Sequence, residues 1–235
     1  MPVSETTDPG GTIHVPPEGL PFEEHEQELV ALLAGDPRVS RPLVPPARLQ
    51  ARIAQLARDI RAAHLTAHSS SDPIHLAVVL TGAFRFAQTL GEALFALDGA
   101  AVRYHFLKAV TYGSEIKARG EARREVTLQW AMEGLSGQEV ILVDDLVDQG
   151  FTLAALRRHL LEEAGARLVH TCVLLEKRLD TPTEEVRSLR ASLSLDYVGF
   201  TVPDLWVAGF GIDAAEDFRN LPFIITVNED HYRDG

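Results

Sequence analysis

The segment Glu139-Val140-Ile141-Leu142-Val143-Asp144-Asp145-Leu146-Val147-Asp148-Gln149-Gly150-Phe151-Thr152 constrains the fold more than any other part of the chain. An apolar run suited to a buried parallel strand ends in two adjacent carboxylates. A third follows, then a Gly and a Thr, before helix-like periodicity begins. In an open parallel sheet ligands bind beyond the carboxyl ends of the strands, which is where these residues fall. Gly150 permits a tight backbone, and Thr152 is expected to help satisfy the first free N–H groups of the helix. Those N–H groups, with the helix dipole behind them, form a phosphate cradle. Carboxylates beside a phosphate repel it unless they hold a divalent cation or sugar hydroxyls. The combination suggests a phosphorylated sugar bound with magnesium; an ordinary acidic turn is the plainer alternative.

The 235 residues can bury a sizeable core and most simply form one large α/β domain with an extension. Lys and Arg number 22 against 34 Asp and Glu, and a net charge of -12 opposes nucleic-acid binding through phosphate contacts. Cys172 is the single cysteine and falls in an apolar run, which fits a buried small hydrophobe rather than a disulfide. No run approaches the ~18 apolar residues needed to span a bilayer, and the N-terminus lacks a basic region followed by an apolar core. The expectation is a soluble cytoplasmic protein that engages neither membrane nor nucleic acid.

Along the chain, five prolines and three glycines in residues 1–21 predict a flexible arm or a strap across a partner subunit. A short acidic helix is expected over 23–33, so that residues 1–45 form an extension and 46–235 the main domain. Leu49, Ile53, Leu56 and Ile60 recur at helical spacing after Pro46. Arg48, Arg52, Arg58 and Arg61 fall largely off that stripe and read as a solvated face. Strands are expected over 74–80, 102–108, 126–132 and 168–175, with helices over 84–97 and 152–164, the latter closed by Gly165. This alternation predicts a doubly wound, mostly parallel sheet with right-handed crossovers.

The acidic segment resembles the phosphoribosyl-diphosphate motif of the type I phosphoribosyltransferases, with Asp144 and Asp145 as the acidic pair and Asp148 to Thr152 as the phosphate loop. Three further segments resemble the hypoxanthine-guanine (6-oxopurine) branch. They are Val79-Leu80-Thr81-Gly82-Ala83-Phe84-Arg85-Phe86, then Thr111-Tyr112-Gly113, then Asp196-Tyr197-Val198-Gly199-Phe200-Thr201-Val202-Pro203-Asp204-Leu205-Trp206-Val207-Ala208-Gly209-Phe210-Gly211-Ile212-Asp213, continuing to Phe218-Arg219-Asn220-Leu221-Pro222. The resemblance covers about residues 74–228, with the four segments in the family's order.

The resemblance implies the type I fold, with a small hood built from the N- and C-terminal segments, and a magnesium-dependent (Mg2+) transfer. The phosphoribosyl group would pass from phosphoribosyl diphosphate to hypoxanthine or guanine in a homodimer or homotetramer. Asp148 would be the general base at the purine N7, within a 5'-phosphate loop of Asp148, Gln149, Gly150, Phe151 and Thr152. Asp144 and Asp145 would engage the ribose hydroxyls directly or through a hydrated magnesium, and Asp213 would hold magnesium on the pyrophosphate side. Thr81, Gly82 and Arg219 would contact pyrophosphate. Lys177 would donate to the 6-oxo group, Trp206 would stack on the base, and the backbone of Val207 would read its edge. Thr111 and Tyr112 would open a mobile loop, residues 111–125, that closes over the reacting centre.

Three positions depart from the family pattern. Thr81 stands where a Lys is usual, Gln149 where a small Thr is usual, and a bulky Phe151 occupies a variable position. Other readings are a non-catalytic sensor on the same fold, an enzyme for xanthine or an unusual purine-like base, and a response-regulator receiver. Taken singly, Lys177 reads equally as a strand end, Trp206 as core, Asp213 as a turn cap and Arg219 as the partner of Asp217 or Glu216.

Overall fold

The computed structural model describes residues 6–7, 11–111, 126–128 and 134–233. In chain order the elements are β1 (Thr6–Thr7), β2 (Ile13–His14), α1 (Glu24–Ala31), β3 (Val39–Val44), α2 (Pro46–Ala67) and β4 (Ile74–Leu80). There follow α3 (Phe84–Asp98), β5 (Val102–Thr111), β6 (Val126–Leu128), β7 (Glu139–Val147), α4 (Phe151–Glu162) and β8 (Leu168–Arg178). The chain ends with α5 (Glu184–Ser192), β9 (Tyr197–Pro203), β10 (Val207–Ala208), β11 (Ile224–Val227) and α6 (Glu229–Arg233).

The large sheet runs β1-β2-β9-β8-β7-β4-β5-β6. It is parallel from β2 to β5, and only the outermost pairs β1–β2 and β5–β6 are antiparallel. The expected mostly parallel α/β sheet is therefore present. Its central strands are apolar on both faces apart from His75, which is paired with His105, and Ile74 through Val79 and Val140 through Val143 are all buried. From β4 the chain goes to β5 on one side and later to β7, β8 and β9 on the other. The gap between the carboxyl ends of β4 and β7 is thus a topological switch point, where an open α/β sheet leaves room for a ligand.

Helix α2 begins with Pro46 at its first position and buries Leu49, Ile53, Leu56 and Ile60, as the spacing predicted. Two of its arginines do not lie on a solvated face. Arg52 is buried and donates to the carbonyls of Gly199 (3.1 Å) and Val198 (2.7 Å) on β9. Arg61 is buried against Asp98 at the end of α3, 2.9 Å away. Their donors are met by partners distant in sequence, which helical periodicity cannot register.

The small sheet, β10-β11-β3, is antiparallel and makes the hood. Beneath it a separate apolar cluster gathers Ala208, Ala214, Phe218, Phe223, Ile225 and Val227, with Trp206 and Tyr232 packed against it. Strand β3 comes from residues 39–44, so part of the expected extension is integral to the hood. Within the N-terminal segment, residues 13–20 pack on the chain itself rather than forming a flexible arm. Leu20 is buried with its N–H donating to the Leu43 carbonyl of β3 (2.8 Å), while β2 pairs in parallel with β9, Ile13 opposite Phe200, and Val15 is buried at that edge of the large sheet. Arg178 secures it there by donating to the carbonyls of Val15 (2.7 Å) and Thr201 (3.0 Å). Cys172 is fully buried, and burial pushes its thiol well above the ordinary range. Among the described residues no helix is long and apolar enough to cross a membrane.

Candidate active site

Asp144 and Asp145 belong to strand β7 rather than to a loop after it. Their ladder to β8 continues through Asp144 opposite Val173 to Val147 opposite Glu176. Consecutive side chains on a strand leave by opposite faces, yet at this strand end the two carboxylates stay close enough to interact. Asp144 is buried and accepts from the N–H of Asp145 at 3.1 Å. Burial first, and then the neighbouring carboxylate of Asp145, raise the Asp144 carboxyl well above its ordinary value. Asp145 is partly exposed; burial raises it too, against the pull of backbone N–H groups and the positive charge of Arg219. The turn after β4 lies against Asp145. A Cβ added at Gly82 would overlap Asp145 Oδ2, so glycine is what lets the two strand ends meet. The peptide before this turn, Leu80–Thr81, is cis, and the Thr81 side chain is exposed.

Beyond β7 the chain bends at Asp148, Gln149 and Gly150, and α4 starts at Phe151. Gly150 is the N-cap with φ +92°, and no side chain caps the helix, so the expected help from Thr152 does not occur. The first turn of α4 carries no acidic residue. Backbone N–H groups and a helix dipole, with neither an anion nor a capping side chain, suit a phosphate. Asp148 is half-exposed at the bend, and Lys177 Nζ lies 3.3 Å from its Oδ2. β8 extends to Arg178, three residues past the expected end, and so carries Lys177 to the level of that bend. The Lys177 side chain is only 12% exposed and has a second carboxylate, Asp204, at 4.0 Å. The Asp204 carboxylate is itself fixed by the N–H of Asp180 at 3.3 Å.

The hood reaches the same place from above. A Cβ on Gly211, at φ +105°, would overlap the carbonyl oxygen of Gly82, so the segment of residues 209–213 sits directly on the turn after β4. Arg219 donates to the carbonyl of Gly211 (2.9 Å) and pairs with Asp213 (2.7 Å) and, more distantly, Glu216 (3.7 Å). Asp217 pairs instead with Arg38 (2.8 Å). Val207 lies in β10 opposite Thr226, and Trp206 is half-buried against Tyr232 of α6, ring centroids 4.9 Å apart. Among the described residues no three His, Cys, Asp or Glu side chains form a cage for a metal ion. Magnesium does not need one, since it is held by one or two carboxylates and substrate phosphates.

A family model of the phosphoribosyl transferase domain matches residues 48–215. A hypoxanthine-guanine phosphoribosyltransferase of Crithidia fasciculata is 33% identical over 178 residues, 76% of this chain and 78% of that protein. The chain belongs to the hypoxanthine-guanine phosphoribosyltransferases. The Mycobacterium tuberculosis (strain ATCC 25618 / H37Rv) member is 30% identical over 204 residues, 86% of this chain and 92% of that one. Among solved structures, a substituted form of the Trypanosoma cruzi hypoxanthine phosphoribosyltransferase, complexed with the product IMP, superposes with a TM-score of 0.67. It is 26% identical, over 83% of this chain and 94% of that one.

In this phosphoribosyltransferase the described contacts join Gly82 to Asp145, Asp148 to Lys177, and Asp213 to Arg219. They do not join Lys177 to Trp206 directly. Thr111 ends β5 with its backbone opposite Val126, while Tyr112 and the rest of the expected mobile loop lie outside the described residues. Sequence reasoning missed Asp204 and Tyr232. Asp204 lies within the Thr201 to Asp213 motif, and its proximity to Lys177 follows from the parallel pairing of β8 with β9. Tyr232 carries no sequence signal, because its position depends on the C-terminal turn after β11.

Proposed function

We infer that this chain transfers the 5-phosphoribosyl group from phosphoribosyl diphosphate to hypoxanthine or guanine, releasing pyrophosphate in cytoplasmic purine salvage. The observation that carries the substrate reading is the Lys177 ammonium 3.3 Å from the half-exposed carboxylate of Asp148. A donor and an acceptor side by side match the 6-oxo and N7–H edge of such a base, whereas the amino group of adenine would meet an ammonium with nothing to accept. A site built to bond a polar group rejects the analogue lacking it by leaving its own groups unpaired.

In the proposed reaction the C1'–O bond to pyrophosphate breaks, a C1'–N9 bond forms, and the N7 proton passes to or is steadied by Asp148. Trp206, backed by Tyr232, stacks on the base, and Val207 offers its backbone. The bend from Asp148 through Gln149, Gly150 and Phe151 to Thr152 holds the 5'-phosphate on the open N–H groups of α4. Arg219 and the backbone around Thr81 and Gly82 face the departing pyrophosphate. Magnesium fits the donor set: Asp144 and Asp145 are adjacent carboxylates whose charge a divalent cation would stabilise, and Asp145 and Asp213 offer hard oxygen ligands. When bound it neutralises charge developing on the leaving group. Closure of residues 111–125, opened by Thr111 and Tyr112, would exclude water. Deleting the tip of that segment is expected to raise hydrolysis of phosphoribosyl diphosphate, and unchanged hydrolysis would remove the gate.

A homodimer or homotetramer is supported by exposed aromatics along α3 and β5, where Phe84, Phe95, Tyr104 and Phe106 are 48%, 67%, 39% and 42% exposed. One assay tests the reaction: magnesium and phosphoribosyl diphosphate with hypoxanthine, guanine, xanthine, adenine or uracil, scored by nucleotide formed. Turnover of the first two is expected. Turnover of xanthine alone would move the acceptor, and binding without turnover would make the chain a sensor, the reading favoured by Thr81 in place of a Lys.

A further inference from the structure

Helix α5 stands behind the acidic bend, and one of its side chains reaches under both members of the base-handling pair. Arg190 Nη1 donates to the carbonyl oxygens of Val147 (3.2 Å) and Asp148 (2.6 Å). Its Nη2 donates to the carbonyl oxygen of Lys177 (3.3 Å) and pairs with the Glu176 carboxylate. A single planar fork therefore holds the last residue of β7, the residue bearing the proposed base, and the strand end bearing the ammonium. The packing agrees. A Cβ at Gly150 would meet Leu193 Cδ1 at 2.6 Å and Arg190 Cδ at 3.2 Å, so α5 lies directly on the turn that starts α4. α5 is anchored in turn by Thr183, whose hydroxyl accepts from the N–H of Val186, and by the burial of Val186.

We propose that Arg190 is a positioning residue, setting the separation of the Asp148 carboxylate and the Lys177 ammonium by clamping the main chain beneath each. The catalytic part of this rests on the reading of those two residues given above. Asp148 lies past the last rung of the β7–β8 ladder, so the sheet does not hold it in register with Lys177. The guanidinium replaces the missing rungs. It is suited to this because its donors are fixed in one plane, which an ammonium cannot imitate. A misplacement of about 1 Å between reacting groups is enough to cost about 100-fold in rate.

The full chain is compared with Arg190→Ala and Arg190→Lys by amide hydrogen exchange and by steady-state kinetics with hypoxanthine. In Arg190→Ala, exchange over residues 147–152 and 176–178 is expected to rise together by about tenfold, while β4 and β5 keep native protection. kcat is expected to fall about 100-fold, with a smaller change in KM for phosphoribosyl diphosphate. Millimolar guanidinium chloride is expected to restore part of the activity of Arg190→Ala and none to Asp148→Asn. Arg190→Lys keeps the charge and most of the stem, so it carries the test if Arg190→Ala does not fold. It is expected to remain about tenfold or more below the native kcat. Native exchange at either segment, or native kcat in either folded variant, would overturn the clamp. A native chain that turns over no 6-oxopurine would overturn the assigned reaction instead, and the exchange measurement would still decide on the clamp.

Discussion

Replacing Asp148 by Asn keeps the shape of the side chain and removes its capacity to take a proton. A positioned base contributes typically 10²–10⁴-fold, so kcat is expected to fall by about that much while nucleotide binding survives. Steady-state rates beside calorimetric titration with IMP would check this, and undiminished turnover would remove the proposed base. Lys177→Met is expected to weaken hypoxanthine and guanine by about 1.5–3 kcal/mol, the scale of a hydrogen bond to a charged group, and to narrow the preference over adenine. Competition between the bases would measure it. Asp144 gives a dependence on pH. Its carboxyl keeps a proton in the fold at pH values where the unfolded chain has already lost it. Between the ordinary carboxylate value and the raised native one, stability therefore falls as pH rises. Without magnesium, Asp144→Asn should melt higher than the native chain at neutral pH, by about 2–4 °C per kcal/mol gained, and no higher near pH 3. Scanning calorimetry across that range checks the sign; equal melting at both ends would mean the carboxyl is not strained. What could be read from single residues was uneven. The roles proposed for Asp148, Lys177 and Arg219 come from motifs, whereas the places of Asp204 and Arg190 depend on neighbours brought in by pairing and packing.

Elements whose signal is local were legible, and those defined by remote partners were not. β4 and α3 came from an apolar run and a helical stripe, and their observed bounds lie within a residue of the expected ones. The acidic pair was placed beyond the strand because carboxylates rarely sit in a buried ladder; β8 supplies the partner strand that keeps them in it. α5 was missed although Thr183, two glutamates and the spacing of Val186, Leu189 and Leu193 spell a capped amphipathic helix. Its shortness, and the pull of the motif that follows, hid it. The hood turn yields a prediction at this scale. Gly211→Ala must accommodate both an unfavourable φ and the carbonyl of Gly82, so about 1–3 kcal/mol of stability should be lost. Activity should fall with it, because Asp213 and Arg219 ride on the same segment. Urea denaturation and kcat measured together check this; native stability would show that the two backbones part without cost.

The broad architecture was foreseen from strand and helix alternation, but the way the ends are built in was not. A chain rich in Pro and Gly resists helix, yet a single pair of residues, Ile13 and His14, is enough to add a parallel strand when β9 already presents its edge. The aromatics exposed on α3 and β5 belong to the same scale, since an apolar area of this kind suits the proposed subunit contact. Phe106→Glu is expected to shift the chain to a smaller species in sedimentation velocity, and an unchanged coefficient would move the subunit contact elsewhere. The pairing of β2 with β9, and of β3 with β11, has a further consequence. Each joins residues that a ribosome makes early to residues it makes much later. Neither the edge of the large sheet nor the hood can close until β9 and β11 have been made. Contacts this far apart along the chain slow folding. Until those strands are made, Val15, Leu20 and Leu43 of the emerging polypeptide stay uncovered, a period in which chaperones would be expected to bind it.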